Sequence, residues 1–186
     1  MTHEPGTAAR PARRALLVVL SLLLAAALAL LVVRTLQNRD VEAPAGGGYG
    51  TASERAGIED VAEQFVLNVG TFGPQDLKDG TMPDYRRRVG SLLTTKFRAS
   101  FDKQVPALEQ GVAQIKLQKV AKVSAVGVAS VEGDRATAFV AWERTARIGK
   151  GSYDAPEQTR SKVELVRVKG EWRVDDFTPV TGEAAK

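Results

Sequence analysis

Nineteen consecutive residues, Ala15 to Val33, carry no charge and a single hydroxyl, that of Ser21. At 1.5 Å rise per residue this run makes a helix of about 28 Å, close to the roughly 30 Å hydrocarbon core of a bilayer. Its leucines and valines each favour insertion by roughly 0.3 to 0.6 kcal/mol at a helix centre. No other stretch of the chain is long and apolar enough to span. The run therefore divides the chain into an N-terminal tail (1–14), a transmembrane helix (15–33), a flexible linker (34–52), one domain (53–180) and a C-terminal tail (181–186) expected to be disordered. A cleaved signal peptide with Ala27-Leu28-Ala29 as its cleavage box is the competing reading. It fits less well, because the apolar run continues unbroken through Leu30, Leu31, Val32 and Val33. Arg10, Arg13 and Arg14 outnumber Arg34 and Arg39 at the opposite flank, where Asp40 and Glu42 also offset them. The positive-inside bias predicts a single-pass cell-membrane protein with a cytoplasmic N-terminus and an extracytoplasmic domain.

The net charge of +4 would invite a nucleic-acid reading if it belonged to the domain. It does not. Residues 1–39 hold five arginines against Glu4, whereas residues 40–186 hold 21 basic and 21 acidic side chains. The excess sits at the membrane flanks, where it favours anionic headgroups; no nucleic-acid partner is expected, and membrane lipids are met through the anchor. The chain has no cysteine, and its one histidine, His3, lies in the tail. That inventory excludes thiolate metal sites, disulfides and His-dependent nucleophilic catalysis from the domain. Gly46-Gly47-Gly48 follows no strand and precedes no P-loop lysine, so no phosphate-binding loop and no cofactor are expected.

Along the domain, Thr51 and Glu54 have capping-box spacing, and Ile58, Val61, Ala62, Phe65, Val66 and Val69 recur at helical spacing until Gly73-Pro74. A loop (75–83) leads to a second helical region from Asp84 to Glu109, which Gly90 and Thr94-Thr95 can divide in two. From there valine, alanine and threonine alternate. The pattern predicts strands over Ala113–Val131, with a bulge near Lys119 to Val123, then Arg135–Arg147, Gln158–Val168 and Trp172–Val180. Glu132-Gly133-Asp134 and Lys169-Gly170-Glu171 are turn signals. Helices followed by an antiparallel meander imply an α+β domain, helices packed on one face of a curved four-stranded sheet.

The closing stretch Gly170-Glu171-Trp172-Arg173-Val174-Asp175-Asp176-Phe177-Thr178-Pro179-Val180 carries a family resemblance. So do Leu92-Leu93-Thr94-Thr95-Lys96-Phe97-Arg98 and Leu165-Val166-Arg167-Val168. With the anchor and the absence of cysteine, they make the chain resemble the Mce-associated (mammalian cell entry) membrane proteins over roughly residues 11–180. The resemblance implies a nuclear-transport-factor-2-like domain and an accessory role supporting or stabilising an Mce-type lipid or sterol import complex, with Mce-complex proteins as partners. It implies no catalytic residue. The inner-membrane bridge component of type IV secretion also combines one anchor with this fold, which gives the alternative of an assembly scaffold for conjugation. A third alternative is a cavity that binds a lipid.

Three groups of side chains bear on these readings. Asp175 and Asp176 are adjacent on a strand and should point to opposite faces, which rules out a close dyad in a regular strand. One of them could enter a concave cavity, where burial would raise its pKa. Without a histidine or a second placed base, the chain is expected not to be an enzyme, and an Asp paired with Tyr85 or Tyr153 is the only residual chemistry. Trp142, Val140, Phe139 and Phe177, with Trp172, are candidates to line an apolar cavity or to fill a plain core. Arg86, Arg87 and Arg88 are consecutive and fan around a helix. They read as a solvated face or as an interaction surface, the other candidate surface being a sheet edge.

Overall fold

The computed structural model describes residues 48–180. The expected tail, transmembrane helix and most of the linker, and the C-terminal tail, lie outside these residues. Among the described residues no helix is long and apolar enough to cross a membrane.

Helix α1 (Ala52–Gly70) begins where the sequence places it. Thr51 Oγ1 accepts from Glu54 N–H at 3.1 Å, and Glu54 Oε2 accepts from Thr51 N–H at 3.1 Å, so the reciprocal capping box is formed. The domain starts slightly before that cap. Gly48 and Gly50, assigned to the linker on composition, both adopt positive φ, and the carbonyl of Gly48 accepts from Val131 N–H. A short 3-10 turn (Pro74–Asp76) leads to α2 (Pro83–Gly90) and α3 (Thr95–Ile115). The second helical region is thus divided at Gly90 to Thr94, as its glycine and threonine pair suggest. Thr94 caps α3, its hydroxyl accepting from Phe97 N–H at 3.2 Å. Helix α3 runs past Glu109 to Ile115, so Ala113 is helical, not the start of a strand. The physical reason is packing. Val105 and Val112 are two turns apart on one buried face, and the helix ends only where Lys116 turns left-handed at φ 53°.

Four strands follow: β1 (Leu117–Glu132), β2 (Arg135–Ile148), β3 (Glu157–Val168) and β4 (Glu171–Pro179). They form an antiparallel meander in the order β1-β2-β3-β4. The bulges of β1 fall at Val123/Ala125 and Val128/Ser130, further along than sequence predicts, and β4 carries one at Asp175, where pairing shifts from Glu164↔Asp176 to Leu165↔Val174. Bulges bend and twist a strand, which curves the sheet around the helices. The core lies between them. Ile58, Phe65 and Val66 of α1 meet Ala138 and Val140 of β2, Val163 and Leu165 of β3 and Val174 of β4, all essentially without exposure. Gly70 lets the end of α1 approach the sheet closely, since a Cβ there would lie 2.6 Å from Ala121 Cβ.

Both outer edges of the sheet are partly covered. Along β4, Val174 N–H donates to Leu92 O at 2.8 Å and its carbonyl accepts from Thr94 N–H at 2.9 Å. Along β1, Phe72 and Lys119 exchange both backbone bonds, at 3.1 and 2.8 Å. Pairing of β2 with β3 stops at Arg144↔Glu157, but pairing of β1 with β2 continues to Leu117↔Ile148. The start of β1 and the end of β2 therefore project beyond the sheet as a two-stranded ribbon.

Candidate functional site

The concave side of the sheet is filled by side chains. Phe177 packs edge-on against Phe65 with ring centroids 5.1 Å apart, and lies 6.5 Å from Trp142. Trp142 is 7 % exposed, and its indole N–H donates to the buried Ser161 hydroxyl at 3.1 Å, which satisfies the one polar atom of the ring. Val140 is buried beside it. Phe139 does not join them: strand alternation puts it on the opposite face, 45 % exposed and facing Gly127 across the ladder. Trp172 is half-buried near Gly57, with the Arg167 guanidinium stacked 4.5 Å from its ring.

The aspartates are not a dyad and do not behave as groups in an apolar cavity. Because Asp175 is the extra residue of the β4 bulge, its carboxylate turns to the start of α3. There it accepts from Thr94 Oγ1 at 2.7 Å and from Lys96 Nζ at 3.2 Å. The Thr94 hydroxyl holds its pKa below the ordinary carboxylate range, with Lys96 adding to the effect, and this outweighs burial. The expected upward shift is therefore reversed. Asp176 pairs across from Glu164 and accepts weakly from Thr178 Oγ1 at 3.3 Å. Tyr85 and Tyr153 are near neither. The Tyr85 hydroxyl donates to Val69 O at 3.2 Å, and burial pushes its pKa up. Tyr153 lies under Arg147, 4.7 Å from ring to guanidinium.

The three arginines fan around α2 but do not form one free face. Arg86 clasps Glu109 through Nε and Nη2 at 2.7 and 2.6 Å, Arg87 meets Asp84 at 2.5 Å, and Arg88 reaches Asp76 Oδ1 and Thr71 O at 3.3 Å. Only Arg87 is mainly solvated. Glu109 escaped the sequence reading. Its carboxylate is almost fully buried and accepts a third bond, from Met82 N–H at 2.7 Å. The Arg86 fork keeps its pKa below the usual range against the pull of desolvation. The signal was present in the spacing Val105, Glu109, Val112, which places a carboxylate on an apolar helix face.

Among the described residues, a polar groove of about 230 Å³ has Asp175 in its wall with Glu132, Arg135 and Glu164, and two further grooves have mainly apolar walls. One, of about 290 Å³, lies between the end of α1, α3 and the start of β1, walled by Val69, Phe72, Tyr85, Phe101, Leu108 and Lys119. The other, of about 350 Å³, is a shallow apolar trough on the far face of the sheet around Phe139, Ala141 and Val180. Among the described residues no group of acidic or histidine side chains is placed to hold a metal ion.

No protein-family model matches the chain. No curated protein matches it either. The Mce-associated resemblance therefore rests on the sequence pattern alone. Among solved structures, the chain is similar to an IcmL-like type IV secretion system protein from Legionella pneumophila, with TM-score 0.55, 10% identity and coverage of 76% of this chain and 100% of that one. It is similar to the periplasmic domain of DotI, with TM-score 0.54, 15% identity and coverage of 74% and 100%. A TrwG component of a type IV secretion system from Bartonella birtlesii gives TM-score 0.52, 13% identity and coverage of 75% and 98%. A putative aromatic ring hydroxylase from Novosphingobium aromaticivorans is as similar, at TM-score 0.53 and 12% identity over 72% of this chain and 94% of that one, so these likenesses establish a shared fold and no activity.

Proposed function

We propose that this chain is a membrane-tethered, non-enzymatic assembly scaffold of a type IV secretion or conjugation machine, its domain serving as an extracytoplasmic protein-interaction module. The observation that carries the reading is the combination of the apolar run Ala15–Val33 with a domain whose fold is shared by two type IV secretion proteins and a periplasmic domain. The packing of Phe65, Trp142 and Phe177 supports it, because the side chains that could line a lipid cavity are spent on one another. Tethering supplies the energetic logic. Fourteen residues, 34–47, separate the run from the described domain. A flexible linker of that length has a root-mean-square span of about 20 Å and holds the domain at an effective concentration on the order of millimolar near a membrane-bound partner. Weak contacts then suffice.

Crosslinked affinity purification from native membranes, read by mass spectrometry, tests the reading. Recovery of secretion or conjugation components is the expected result. Recovery of Mce-type substrate-binding proteins and their permease would replace the scaffold reading with the Mce accessory role. A co-purified lipid with no protein partner would turn attention to the grooves as ligand sites.

A further inference from the structure

The outer edge of β1 is covered at its ends and open in its middle. Where ladder alternation turns backbone groups away from β2, Lys119 is paired with Phe72, Ala121 N–H donates to the Thr71 hydroxyl at 3.1 Å, and Val131 N–H donates to Gly48 O. Carried through the two bulges, the same alternation turns the N–H and C=O of Val123, Val126 and Val128 outward. None of them meets a partner among the described residues. Val123–Val128 is a window about 20 Å long at roughly 3.3 Å per residue. Two common guards of an edge strand, charge and proline, are missing from it: Val123 to Val131 contain neither. On the opposite edge, Leu92 and Thr94 hold Val174, and Pro179 has no N–H to offer. The side chains flanking the window are apolar on both faces. Toward the helices, Val123, Val126 and Val128 are part-buried against the core. On the far face, Ala125 and Gly127 floor the trough of about 350 Å³ beside the exposed Phe139 ring. Gly127 stands opposite Phe139 in the ladder, and a Cβ there would touch nothing.

We infer that Val123–Val128 receives an extended apolar segment of a partner protein, which joins the four-stranded sheet as an added strand beside β1. Open backbone N–H and C=O groups select an extended backbone, because another strand offers donors and acceptors at matching spacing. Water satisfies these groups in the free protein, so most of the net gain comes from the side chains that pairing buries. Those side chains set the chemistry of the segment. Its alternate residues lie along Val123, Val126 and Val128 on one face, and over Gly127 against Phe139 on the other. A charge buried on either face would have no partner, and a proline would forfeit a backbone bond. The covered ends set the length. An occupant longer than about six residues must turn away at Thr71 and at Gly48. A second copy of β1 fits poorly on that ground, being a 16-residue strand whose own Phe72 and Gly48 segments lie along the edge it would present. The added strand gives the scaffold reading its contact surface, and depends on that reading only for the machine to which the partner belongs.

A photo-crosslinking residue is placed at Ser124, exposed within the window, and separately at Gln104, exposed on α3, in the full chain in native membranes. The expected product from Ser124 joins a different protein through a run of about six uncharged residues rich in β-branched or aromatic side chains. Its yield should fall about tenfold in Gly127→Lys, which sets a charge in the trough where a Cβ has room. It should fall similarly in Val126→Pro, which removes one outward donor and leaves the bonds to β2 in place. Protease resistance is measured on both variants, and Gly127→Lys decides alone if Val126→Pro loses it. A yield indifferent to Gly127→Lys, or to a folded Val126→Pro, overturns the inference. So does a Ser124 product with lipid, with a second copy of this chain or with a charged segment. Secretion or conjugation components captured from Gln104 and not from Ser124 would leave the scaffold standing and remove this surface. No protein product from either position would remove both.

Discussion

Glu109 shows how one side chain can hold two helices at a fixed distance. Its two oxygens accept three bonds, two from Arg86 on α2 and one from the Met82 backbone just before that helix. Removing the carboxylate leaves Arg86 and a buried N–H without partners, which costs roughly 3 to 5 kcal/mol when an ion pair is buried. Glu109→Ala should therefore lower the denaturant midpoint strongly with an unchanged slope. The double change Arg86→Met/Glu109→Leu should recover most of the loss, because paired apolar side chains need no solvation. A cost below about 1 kcal/mol for Glu109→Ala would show that water replaces the pair and that the clasp is superficial. The sequence places an acid on an apolar stripe but does not say which cation meets it, since Arg86, Arg87 and Arg88 are chemically alike. Helix phase and the approach of α3 choose among them.

At the scale of the elements, the reading from periodicity reproduces the helix and strand order because burial follows the 3.6- and 2-residue repeats. Thr51 and Glu54 mark a helix start unaided. What periodicity misses is where two elements touch. The strand predicted from Ala113 starts at Leu117, and the β4 bulge turns Asp175 to Thr94 and Lys96; both depend on the partner element. The motif around Leu92 to Arg98 and the motif around Val174 and Asp175, 81 residues apart in the chain, meet along the β4 edge. The contact of α1 with β1 supplies a direct test. Gly70→Ala would place a methyl 2.6 Å from Ala121 Cβ, so the helix end must shift. Overpacking of this kind costs roughly 1 to 3 kcal/mol, against a gain of about 0.5 to 1 kcal/mol from alanine's helix preference. Net destabilisation is expected in thermal melts, and Ala121→Gly in the same chain should relieve it. A neutral or stabilised Gly70→Ala protein would refute the close contact.

For the whole molecule, pH response follows from the titratable inventory. His3, the one histidine, lies outside the described domain, so stability should be flat between about pH 5.5 and 8. Glu109 and Asp175 are both held below ordinary carboxylate values by their partners. The unfolded chain then binds more protons as acid is added, so stability present above about pH 4 is lost as pH falls through the depressed folded values. Tyr85 works at the other end. Burial raises its pKa, so its contribution is complete below about pH 10 and declines as pH rises further. Unfolding profiles of the parent, Asp175→Asn and Tyr85→Phe proteins should show a weaker acid limb in the first variant and a weaker alkaline limb in the second. A transition near pH 6.5 would contradict this assignment. By itself the sequence determined the apolar 19-residue run, the neutral domain without cysteine or histidine, and the helices-then-meander order, because composition, hydrophobic period and turn residues are local properties. Only the tertiary structure decided that Trp142 and Phe177 pack into the core, where Phe65 meets them. It alone turned Arg86 and Arg88 into clasps, because each depends on which distant residue supplies the partner.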